Sequence, residues 1–264
     1  MALELAAQRA EVGAKADVRS RVTPEEWDVR VQLAACYRLV ALHGWDDLIF
    51  THLSARVPGP DHHFLINPYG LMFDEVTASN LVKIDLDGNV LLDTGYGINK
   101  AGFVIHGAVH EAREDAMAVL HTHTEAGMAV SSQKWGLLPL NQTAMAFMHD
   151  MAYHDYEGIA LELDERARLV ADLGEKNNMI LRNHGLLTVG RSVGEAFVRM
   201  FFLEKACAAQ IAALTAGYDN QCLPSAASQR TVTEQVSDRG AISGNMEWPA
   251  MLRKLDRLDA SYRT

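Results

Sequence analysis

Three histidines in two short apolar segments have the residue type and spacing of a metal site. His121 and His123 lie two residues apart in the segment AVLHTH, and residues two apart in a strand point to the same face, roughly 6–7 Å apart along it. Imidazole nitrogen binds a divalent cation at about 2.0–2.1 Å, so both rings can reach one ion. On its own, however, this pair has a second interpretation: two ordinary, partly buried histidines that happen to alternate.

A third histidine favours the metal. His184 follows the apolar residues of NMILRNHG, which predict a second buried strand and a turn at Gly185. Sites in open α/β sheets gather at the carboxyl ends of strands, and His123 and His184 both lie at such ends. Three neutral imidazoles plus water form an open catalytic site for Zn²⁺ and also suit Mn²⁺, Fe²⁺ or Co²⁺. We therefore predict one divalent metal per subunit, with Zn²⁺ as first choice, held by His121, His123 and His184.

The elements that must position these residues alternate along the chain. The first helix has a capping box at Thr23 and Glu26, Pro24 in its first turn and a C-cap at Gly44. Apolar spacing of three or four predicts further helices, over residues 99–113, 164–174 and 192–217. Short apolar runs bounded by Gly, Pro, Asn and Asp predict strands, at residues 53–57, 63–68, 80–92 (with a hairpin at Asp87–Gly88), 116–123 and 178–185.

This alternation predicts one α/β domain over residues 23–217. Residues 1–22 are expected to form an N-terminal extension. Residues 218 to about 244 are rich in Ser, Gln, Thr, Asn and Asp and are predicted to be irregular. An amphipathic helical arm should follow, so that residues 218–264 combine a polar connection with that arm.

Composition excludes several classes of function. The chain has 264 residues and a formal net charge of −10 without a basic cluster, whereas nucleic-acid binding needs concentrated positive charge. The first twenty residues contain no apolar core of a signal peptide, and no run reaches the length of a membrane span. Three cysteines, Cys36, Cys207 and Cys222, show no paired spacing. We expect a soluble, cytoplasmic protein.

Several segments carry a family resemblance. AGFVIHGAVHEAR, VLHTHTEAG and LRNHGLLTVG, in that order and spacing, closely resemble the class II aldolase/adducin head-domain family. FTHLSARVPG, FLINPYGLMFDEVTASNLVKIDLDGNV, GLLPLNQ and AYHDYEGI favour its adducin-like branch. The resemblance covers residues 24 to about 216. It implies a three-layer α/β/α sandwich around a mixed, mostly antiparallel sheet, a divalent metal on His121, His123 and His184, and a homotetramer with sites near subunit interfaces.

The chain departs from the sugar-phosphate aldolases of this family at their catalytic and phosphate-binding positions. Gly102 stands where they carry an acidic catalytic residue, and Lys100 and Ala101 replace two phosphate-contacting serines. Thr51–His52 replaces a Gly-Asn pair, and Tyr69–Gly70 replaces a Thr-Gly pair. A phosphate cradle needs small residues and clustered donors. A sugar phosphate is therefore not the expected substrate.

The chemistry that remains is carbon–carbon bond cleavage. A metal on three histidines can chelate adjacent substrate oxygens and stabilise the charge that develops when the bond breaks. Retro-aldol cleavage and decarboxylation both fit, and loss of the acid at Gly102 favours decarboxylation, which needs no base for a hydroxyl proton. Some adducin-like relatives decarboxylate hydroxylated aromatic dicarboxylic acids. We predict a lyase that acts on a small carboxylated hydroxy or hydroxyaromatic compound.

The residues that assist the metal are less clearly marked. Lys100 is the first candidate to pair with a substrate carboxylate, although a solvated surface lysine explains it equally well. Candidate proton donors are His52, His106, Glu125 and Tyr153, each with a structural role as the alternative; Glu125 could instead orient an imidazole. Candidate substrate-binding positions are Lys100, Tyr69, Gly70 and Gly102.

Two other functions stay open. Three histidines with open positions could hold Fe²⁺ and activate O₂, which would make the protein an oxidative decarboxylase. The adducin-like resemblance also allows a non-catalytic interaction module. We expect an enzyme rather than that module, because adducin-like scaffolds continue into a long polar tail with a basic end and this sequence ends at Thr264.

Overall fold

The computed structural model describes residues 17–158, 164–239 and 242–264, without the side chains of residues 100–101 and 237–239. The helices are α1 (Pro24–Leu42), α2 (Lys100–Ala112), α3 (Glu125–Ser131), α4 (Gln142–Met145), α5 (Glu165–Leu173), α6 (Val193–Leu214), α7 (Ala226–Arg239) and α8 (Glu247–Leu258). The strands are β1 (His52–Arg56), β2 (Phe64–Ile66), β3 (Val82–Ile84), β4 (Val90–Leu92), β5 (Ala118–Thr122), β6 (Met151–His154), β7 (Asn178–Leu181) and β8 (Gly185–Gly190).

These strands form one sheet in the order β4-β3-β2-β1-β5-β8-β7-β6. Neighbouring strands run antiparallel, except β6 and β7, which are parallel. The predicted mixed, mostly antiparallel sheet is therefore confirmed. The predicted hairpin is also present, since β3 pairs with β4 and Gly88 has a φ of 80°, a backbone conformation that suits glycine.

Helices cover both faces of the sheet. Leu53 and Leu120 of the central strands pack with α1 and α6 in one core cluster, whose helix residues include Leu39 and Phe197. On the other face, Ile105 and Val109 of α2 and Leu169 and Leu173 of α5 pack against Val119, Met179 and Leu187. Alternation along each strand sends successive side chains to opposite faces. This arrangement confirms the three-layer α/β/α sandwich.

The same alternation directs polar residues of β1 towards α2. Leu53 and Ala55 belong to the core on the α1 side, so His52, Ser54 and Arg56 face the α2 side. His52 lies directly opposite His121 in the antiparallel register of β1 and β5. Directly opposed residues of paired strands share a face. The sheet thus places His52 beside one of the predicted metal ligands.

The C-terminal segment differs from the prediction. Residues 218–244 were expected to be irregular, but α7 occupies Ala226–Arg239. Trp248 at the start of α8 donates a hydrogen bond to Gln32 of α1 and packs on Phe197 of α6. Tyr262 is fully buried, and its carbonyl accepts a hydrogen bond from Ala78 N. The arm therefore packs on its own chain. No described helix combines the length and apolar character needed to cross a bilayer.

Candidate metal centre

The three predicted histidines converge through one nitrogen each. Nε2 of His121 lies 2.9 Å from Nε2 of His123 and 3.2 Å from Nε2 of His184, and the last two nitrogens are 2.9 Å apart. These three residues are also the metal-ligand cluster found among the described residues. Side chains more than sixty residues apart in the chain thus present equivalent atoms to one point.

Local structure explains how each ring reaches this point. His121 lies in β5, and His123 follows the strand just before Thr124, which caps α3 by accepting a hydrogen bond from Gly127 N. His184 is in the three-residue turn between β7 and β8, where Asn183 has a φ of 55°. Asparagine tolerates this left-handed conformation better than most residues. A strand end and a tight turn therefore bring the rings together.

The hydrogen-bond partners of Nδ1 determine which ring nitrogen of His121 and His123 carries the proton. Nδ1 of His121 lies 2.8 Å from the carbonyl oxygen of Leu186, and Nδ1 of His123 lies 3.0 Å from a carboxylate oxygen of Asp47. Both partners can only accept, so each Nδ1 carries the proton and each neutral ring presents a lone pair at Nε2. Two lone pairs 2.9 Å apart repel each other unless a cation lies between them. The donor set fits a divalent metal.

Burial and neighbouring rings favour the neutral form of His121 and His184, which metal ligation requires. Burial lowers the pKa of His121 well below its usual value, and the neighbouring His184 and His123 lower it further. Burial, assisted by His123, also lowers the pKa of His184 to about 4. Metal ligation needs unprotonated imidazole. His121 and His184 therefore offer unprotonated nitrogens at neutral pH.

Asp47 was missed by the sequence analysis. It lies between α1 and β1, 76 residues before the histidine that it contacts. The only signal in the sequence is an acidic pair, Asp46–Asp47, shortly before a strand. Tyr156 was also missed; its exposed ring stands edge-on to His184, with centroids 6.3 Å apart. A carboxylate on the outer nitrogen of a ligating histidine orients the ring and raises its basicity.

Replacing Asp47 with alanine is expected to weaken metal binding without unfolding the protein. Loss of such an outer partner typically lowers metal affinity by roughly 10–100-fold. Competition with a chromophoric chelator measures the affinity for Zn²⁺, and Asp46→Ala is the matched control. Equal affinities for the two variants would show that the contact between Asp47 and His123 is unimportant.

A strained residue anchors the strand that carries His121. Thr51 has a φ of 62°, which is unusual for a β-branched residue. Its hydroxyl donates a hydrogen bond to the backbone carbonyl of His121. By resemblance, family members with a phosphate loop carry glycine here, a residue that adopts this conformation freely. In this chain the position carries a threonine side chain, which hydrogen-bonds to β5 at His121.

His52 occupies the space beside Gly102. A Cβ atom on Gly102 would lie 1.7 Å from Cδ2 and 2.2 Å from Nε2 of the buried His52 ring. Position 102 therefore has no room for a side chain while His52 keeps this position. Burial lowers the pKa of His52 to about 4, against a smaller opposing effect of the Asn67 side chain. The ring is neutral at pH 7 and stands where the family's acid would begin.

Other predicted residues lie further from the cluster or make different contacts. Glu125 is exposed in the first turn of α3, and among the described contacts Asp47, not Glu125, orients a histidine. The Tyr153 hydroxyl accepts a hydrogen bond from Leu137 N, and its ring packs under the Arg182 guanidinium. Burial raises the pKa of Tyr153. The described contacts of Glu125 and Tyr153 thus do not include the three histidines.

The remaining candidates are a buried histidine beside His52, two residues of an exposed loop, and a lysine whose side chain is outside the described part. His106 in α2 is fully buried, with its ring 6.2 Å from that of His52. Tyr69 and Gly70 lie in the exposed loop after β2, where Gly70 has a φ of 97°. Lys100 begins α2, but its side chain is outside the described part. The proposed roles of all four stay predictions.

The free energy of unfolding is expected to fall as the pH is lowered from about 6.5 to about 4.5. Burial lowers the pKa of His106 well below its usual value and that of His110 to about 3. In this interval the unfolded chain binds protons that the folded chain does not. Each of these two histidines makes the free energy of unfolding fall further, by about 1.4 kcal/mol, for every pH unit that the pH is lowered. Urea titrations across this range should show a flatter slope for His110→Gln; an unchanged slope contradicts the assignment.

Comparisons with known sequences agree with one another. A sequence model of the family "Class II Aldolase and Adducin N-terminal domain" matches residues 31–211. A "Putative aldolase class 2 protein" of Caulobacter vibrioides is 57% identical over 245 residues, which cover 93% of this chain and 95% of that protein. Alpha-adducin of Mus musculus is 43% identical over 250 residues, but these cover 89% of this chain and only 34% of the adducin.

Solved structures show the same fold. An aldolase II superfamily protein from Pseudomonas syringae has a TM-score of 0.91 and 57% identity, covering 94% of this chain and 99% of that one. An L-fuculose 1-phosphate aldolase from Glaciozyma antarctica PI12 has a TM-score of 0.78 and 29% identity, covering 94% and 95% respectively. The likeness extends over nearly the whole chain in both cases.

Proposed function

The chain belongs to the class II aldolase and adducin N-terminal domain family, and we propose that it is a divalent-metal-dependent carbon–carbon lyase. The proposed substrate is a small carboxylated hydroxy or hydroxyaromatic compound, cleaved by decarboxylation or retro-aldol reaction. One observation supports the metal most strongly. The lone pairs of His121 and His123 point at each other because Leu186 and Asp47 hold the protons on the outer nitrogens.

The three histidines would hold the metal, with Zn²⁺ as first choice and Mn²⁺, Fe²⁺ or Co²⁺ as alternatives. A bound divalent cation supplies Lewis-acid stabilisation of the negative charge that develops on substrate oxygen as the carbon–carbon bond breaks. Asp47 and the Leu186 carbonyl keep the ligands oriented. The protein's own task is then to position the substrate and transfer protons.

His52 is the residue that we propose for proton transfer. It lies opposite His121 on the same face of the sheet and is neutral at pH 7 because burial depresses its pKa. A neutral imidazole can accept a proton and later return it. His106, Glu125 and Tyr153 rank behind His52, because His106 hydrogen-bonds to Ser54, the Tyr153 hydroxyl accepts from Leu137 N, and Glu125 is exposed.

A sugar phosphate is the competing substrate, because the L-fuculose 1-phosphate aldolase shares the fold at 29% identity. Two residues of this chain argue against a sugar phosphate as the substrate. The His52 ring fills the space of a side chain at position 102, and Thr51 uses its hydroxyl on the His121 carbonyl. Neither arrangement leaves the small, donor-rich loop that a phosphate cradle needs. Lys100 is proposed to pair with a substrate carboxylate, together with the loop at Tyr69 and Gly70.

The test is a product assay on Zn²⁺-loaded protein. Hydroxylated aliphatic and aromatic carboxylic acids are supplied one at a time, with CO₂ and aldehyde release and O₂ uptake followed together. Release of CO₂ or aldehyde without O₂ uptake supports the lyase, whereas stoichiometric O₂ uptake with Fe²⁺ indicates an oxidative decarboxylase. Turnover of L-fuculose 1-phosphate and of no carboxylate would contradict the proposed substrate class.

A non-catalytic interaction module is the second candidate. The 43% identity to alpha-adducin favours it, since that likeness covers 89% of this chain. The two candidates differ in one property that is easily measured. An interaction module needs no metal for its role, so protein that stays folded after chelation and takes up no metal on reconstitution would favour it over the lyase.

We also propose a homotetramer in the cytoplasm. Several large apolar side chains are exposed in the segments that carry the site residues: Leu48 and Phe50 shortly after Asp47, Met128 in α3, and Tyr156 against His184. Clustered exposed apolar groups are typical of interaction surfaces. Sedimentation analysis tests the tetramer. The thiols of Cys36, Cys207 and Cys222 are free in the described part, which suits a reducing compartment.

A further inference from the structure

Glu204 is a buried acidic residue in the apolar face of α6. It is 8% exposed, and its helix neighbours Met200, Leu203 and Cys207 are fully buried in the core. Burial raises the pKa of Glu204, and a hydrogen bond with the Thr124 side chain opposes that effect. A carboxylate among apolar side chains costs free energy unless it is well paired. The proposed chemistry does not use this group, so its position calls for another explanation.

The helix α6 contacts the segment that carries two of the candidate ligands. Histidine and threonine alternate in this segment, HTHT, over residues 121–124. The Thr122 hydroxyl lies 3.4 Å from Sδ of Met200, and the Thr124 hydroxyl donates a hydrogen bond to a carboxylate oxygen of Glu204. Met200 and Glu204 are four residues apart and therefore share a face of the helix. The segment is thus held by α6 through its threonines, while its histidines supply the ligand nitrogens.

The Thr124 hydroxyl is hydrogen-bonded both as acceptor and as donor. Its oxygen accepts from Gly127 N, 3.2 Å away, which caps α3. A carboxylate oxygen only accepts, so the single hydroxyl proton goes to Glu204. A Cβ atom on Gly127 would lie 2.7 Å from the hydroxyl oxygen and 2.8 Å from Cγ of Leu186, so little space surrounds this group. Its position is therefore fixed by two hydrogen bonds and by close packing.

His123 lies where the sheet no longer fixes the backbone. His121 is paired with strands on both of its sides, whereas β5 ends at Thr122, one residue before His123. The ring of His123 is held at Nδ1 by Asp47, and its backbone continues directly into Thr124. Partners outside the ligand shell orient a ligating histidine. A hold on the ring and a hold on the next residue together determine where Nε2 of His123 lies.

We propose that Glu204 is a positioning residue of the metal centre, which fixes the backbone beside His123 by accepting the hydroxyl proton of Thr124. Asp47 then sets the rotation of the His123 ring, and Glu204 sets the place of the residue that carries it. The inference rests on the proposed function only in requiring that the three histidines bind a divalent metal. Glu204 acts through Thr124 and contributes no ligand of its own.

The experiment compares Glu204→Leu with Glu204→Gln. Leucine removes the acceptor and suits an apolar helix face, whereas glutamine keeps an oxygen to which the Thr124 hydroxyl can donate. Chelator competition gives the affinity for Zn²⁺, and the visible absorption of Co²⁺-loaded protein reports the geometry of the ligands. Glu204→Leu should lower the Zn²⁺ affinity by about 10-fold and alter the Co²⁺ spectrum. Glu204→Gln should match the wild type in both measurements.

Further variants test the route and the specificity of the effect. Gln210→Leu is the matched control, because Gln210 is another buried polar residue of α6 but binds Leu138 N and the Gly136 carbonyl. It should lower the free energy of unfolding and leave the Zn²⁺ affinity and the Co²⁺ spectrum unchanged. In a Thr124→Val background, which has no hydroxyl to hold, adding Glu204→Leu should weaken Zn²⁺ binding no further. If Glu204→Leu does not fold, Thr124→Ser should bind Zn²⁺ like the wild type and Thr124→Val more weakly.

The outcomes separate this inference from the proposed function. Wild-type Zn²⁺ affinity in Glu204→Leu, an equal loss in Glu204→Gln, or a full additional loss on top of Thr124→Val overturns the inference alone. A loss in Gln210→Leu as large as that in Glu204→Leu also overturns it, because the effect would then follow the stability of α6. A wild-type chain that takes up neither Zn²⁺ nor Co²⁺ overturns the proposed function, and the inference with it.

Discussion

Replacing His121 with alanine is expected to abolish stoichiometric metal binding and lyase activity together. The substitution removes the nitrogen that lies within 2.9 and 3.2 Å of the other two. The two remaining, partly buried imidazoles are one ligand short of the three protein ligands that an open catalytic zinc site uses. Purification without chelator, followed by elemental analysis per chain, should give about one metal for the wild type and a negligible amount for the variant.

The matched control is His63→Ala, which removes a histidine from the loop between β1 and β2, away from the cluster. It should retain metal and activity at the wild-type level. Metal also stabilises the fold by mass action, by about 4 kcal/mol when the free metal is 1,000 times the dissociation constant. The wild type should therefore lose thermal stability on chelation and His121→Ala should not. A His121→Ala protein that keeps one metal per chain would contradict the assignment.

Gly102→Ala is expected to destabilise the protein although alanine is the better helix former. Glycine in a helix interior normally costs roughly 0.5–1 kcal/mol relative to alanine. Here the new Cβ would meet the His52 ring at 1.7 Å, so the buried ring must move. Overpacking of this kind costs about 1–3 kcal/mol. Urea unfolding should show that net loss, with loss of activity because His52 is displaced.

Gly107→Ala in the same helix is the control, because its Cβ would come no closer than 3.2 Å to Phe103. It should be close to neutral. The double variant Gly102→Ala/His52→Ala removes the ring and should recover most of the stability lost in Gly102→Ala, although not the activity. If Gly102→Ala is as stable as the wild type, or if the double variant shows no recovery, then His52 does not occupy the space beside Gly102.

The second prediction concerns an exchange of positions. In the sugar-phosphate aldolases that this family resembles, the acidic side chain starts from the helix position of Gly102. In this chain a ring from the neighbouring strand enters the same space. We propose that His52 takes over the role of that side chain from another element, which requires glycine at the helix position. The observed position of the His52 ring requires glycine at position 102, because a Cβ atom there would overlap the ring.

The sequence by itself predicted the histidine triad and the outline of the fold. Strand alternation and the position of two strand ends predicted His121, His123 and His184, and the structure brings their nitrogens together. Long elements with clear caps, such as α1 and α6, were predicted because capping and apolar periodicity are local properties. The resemblance supplied the layer arrangement, which the packing of helices on both faces of the sheet confirms.

Short or polar elements could not be predicted in this way. β6 has four residues and α4 also has four, too few to show a periodicity. The helix α7 lies in a segment rich in Ser, Gln and Thr, where local propensity favours turns. Such elements form because neighbouring parts of the fold hold them, and a single-sequence pattern does not contain that contribution.

The surroundings of the metal ligands were decided by tertiary structure alone. The contact of Asp47 with His123 spans 76 residues, and that of Ser54 with His106 spans 52. Neither has a local spacing to reveal it, because the partners meet only when β1, β5 and α2 pack together. The sequence determined which residues can bind a metal, since residue type and strand period suffice for that. Only the packed fold decided which partners accept the protons on Nδ1 of His121 and His123. It also decided that the His52 ring fills the space at Gly102.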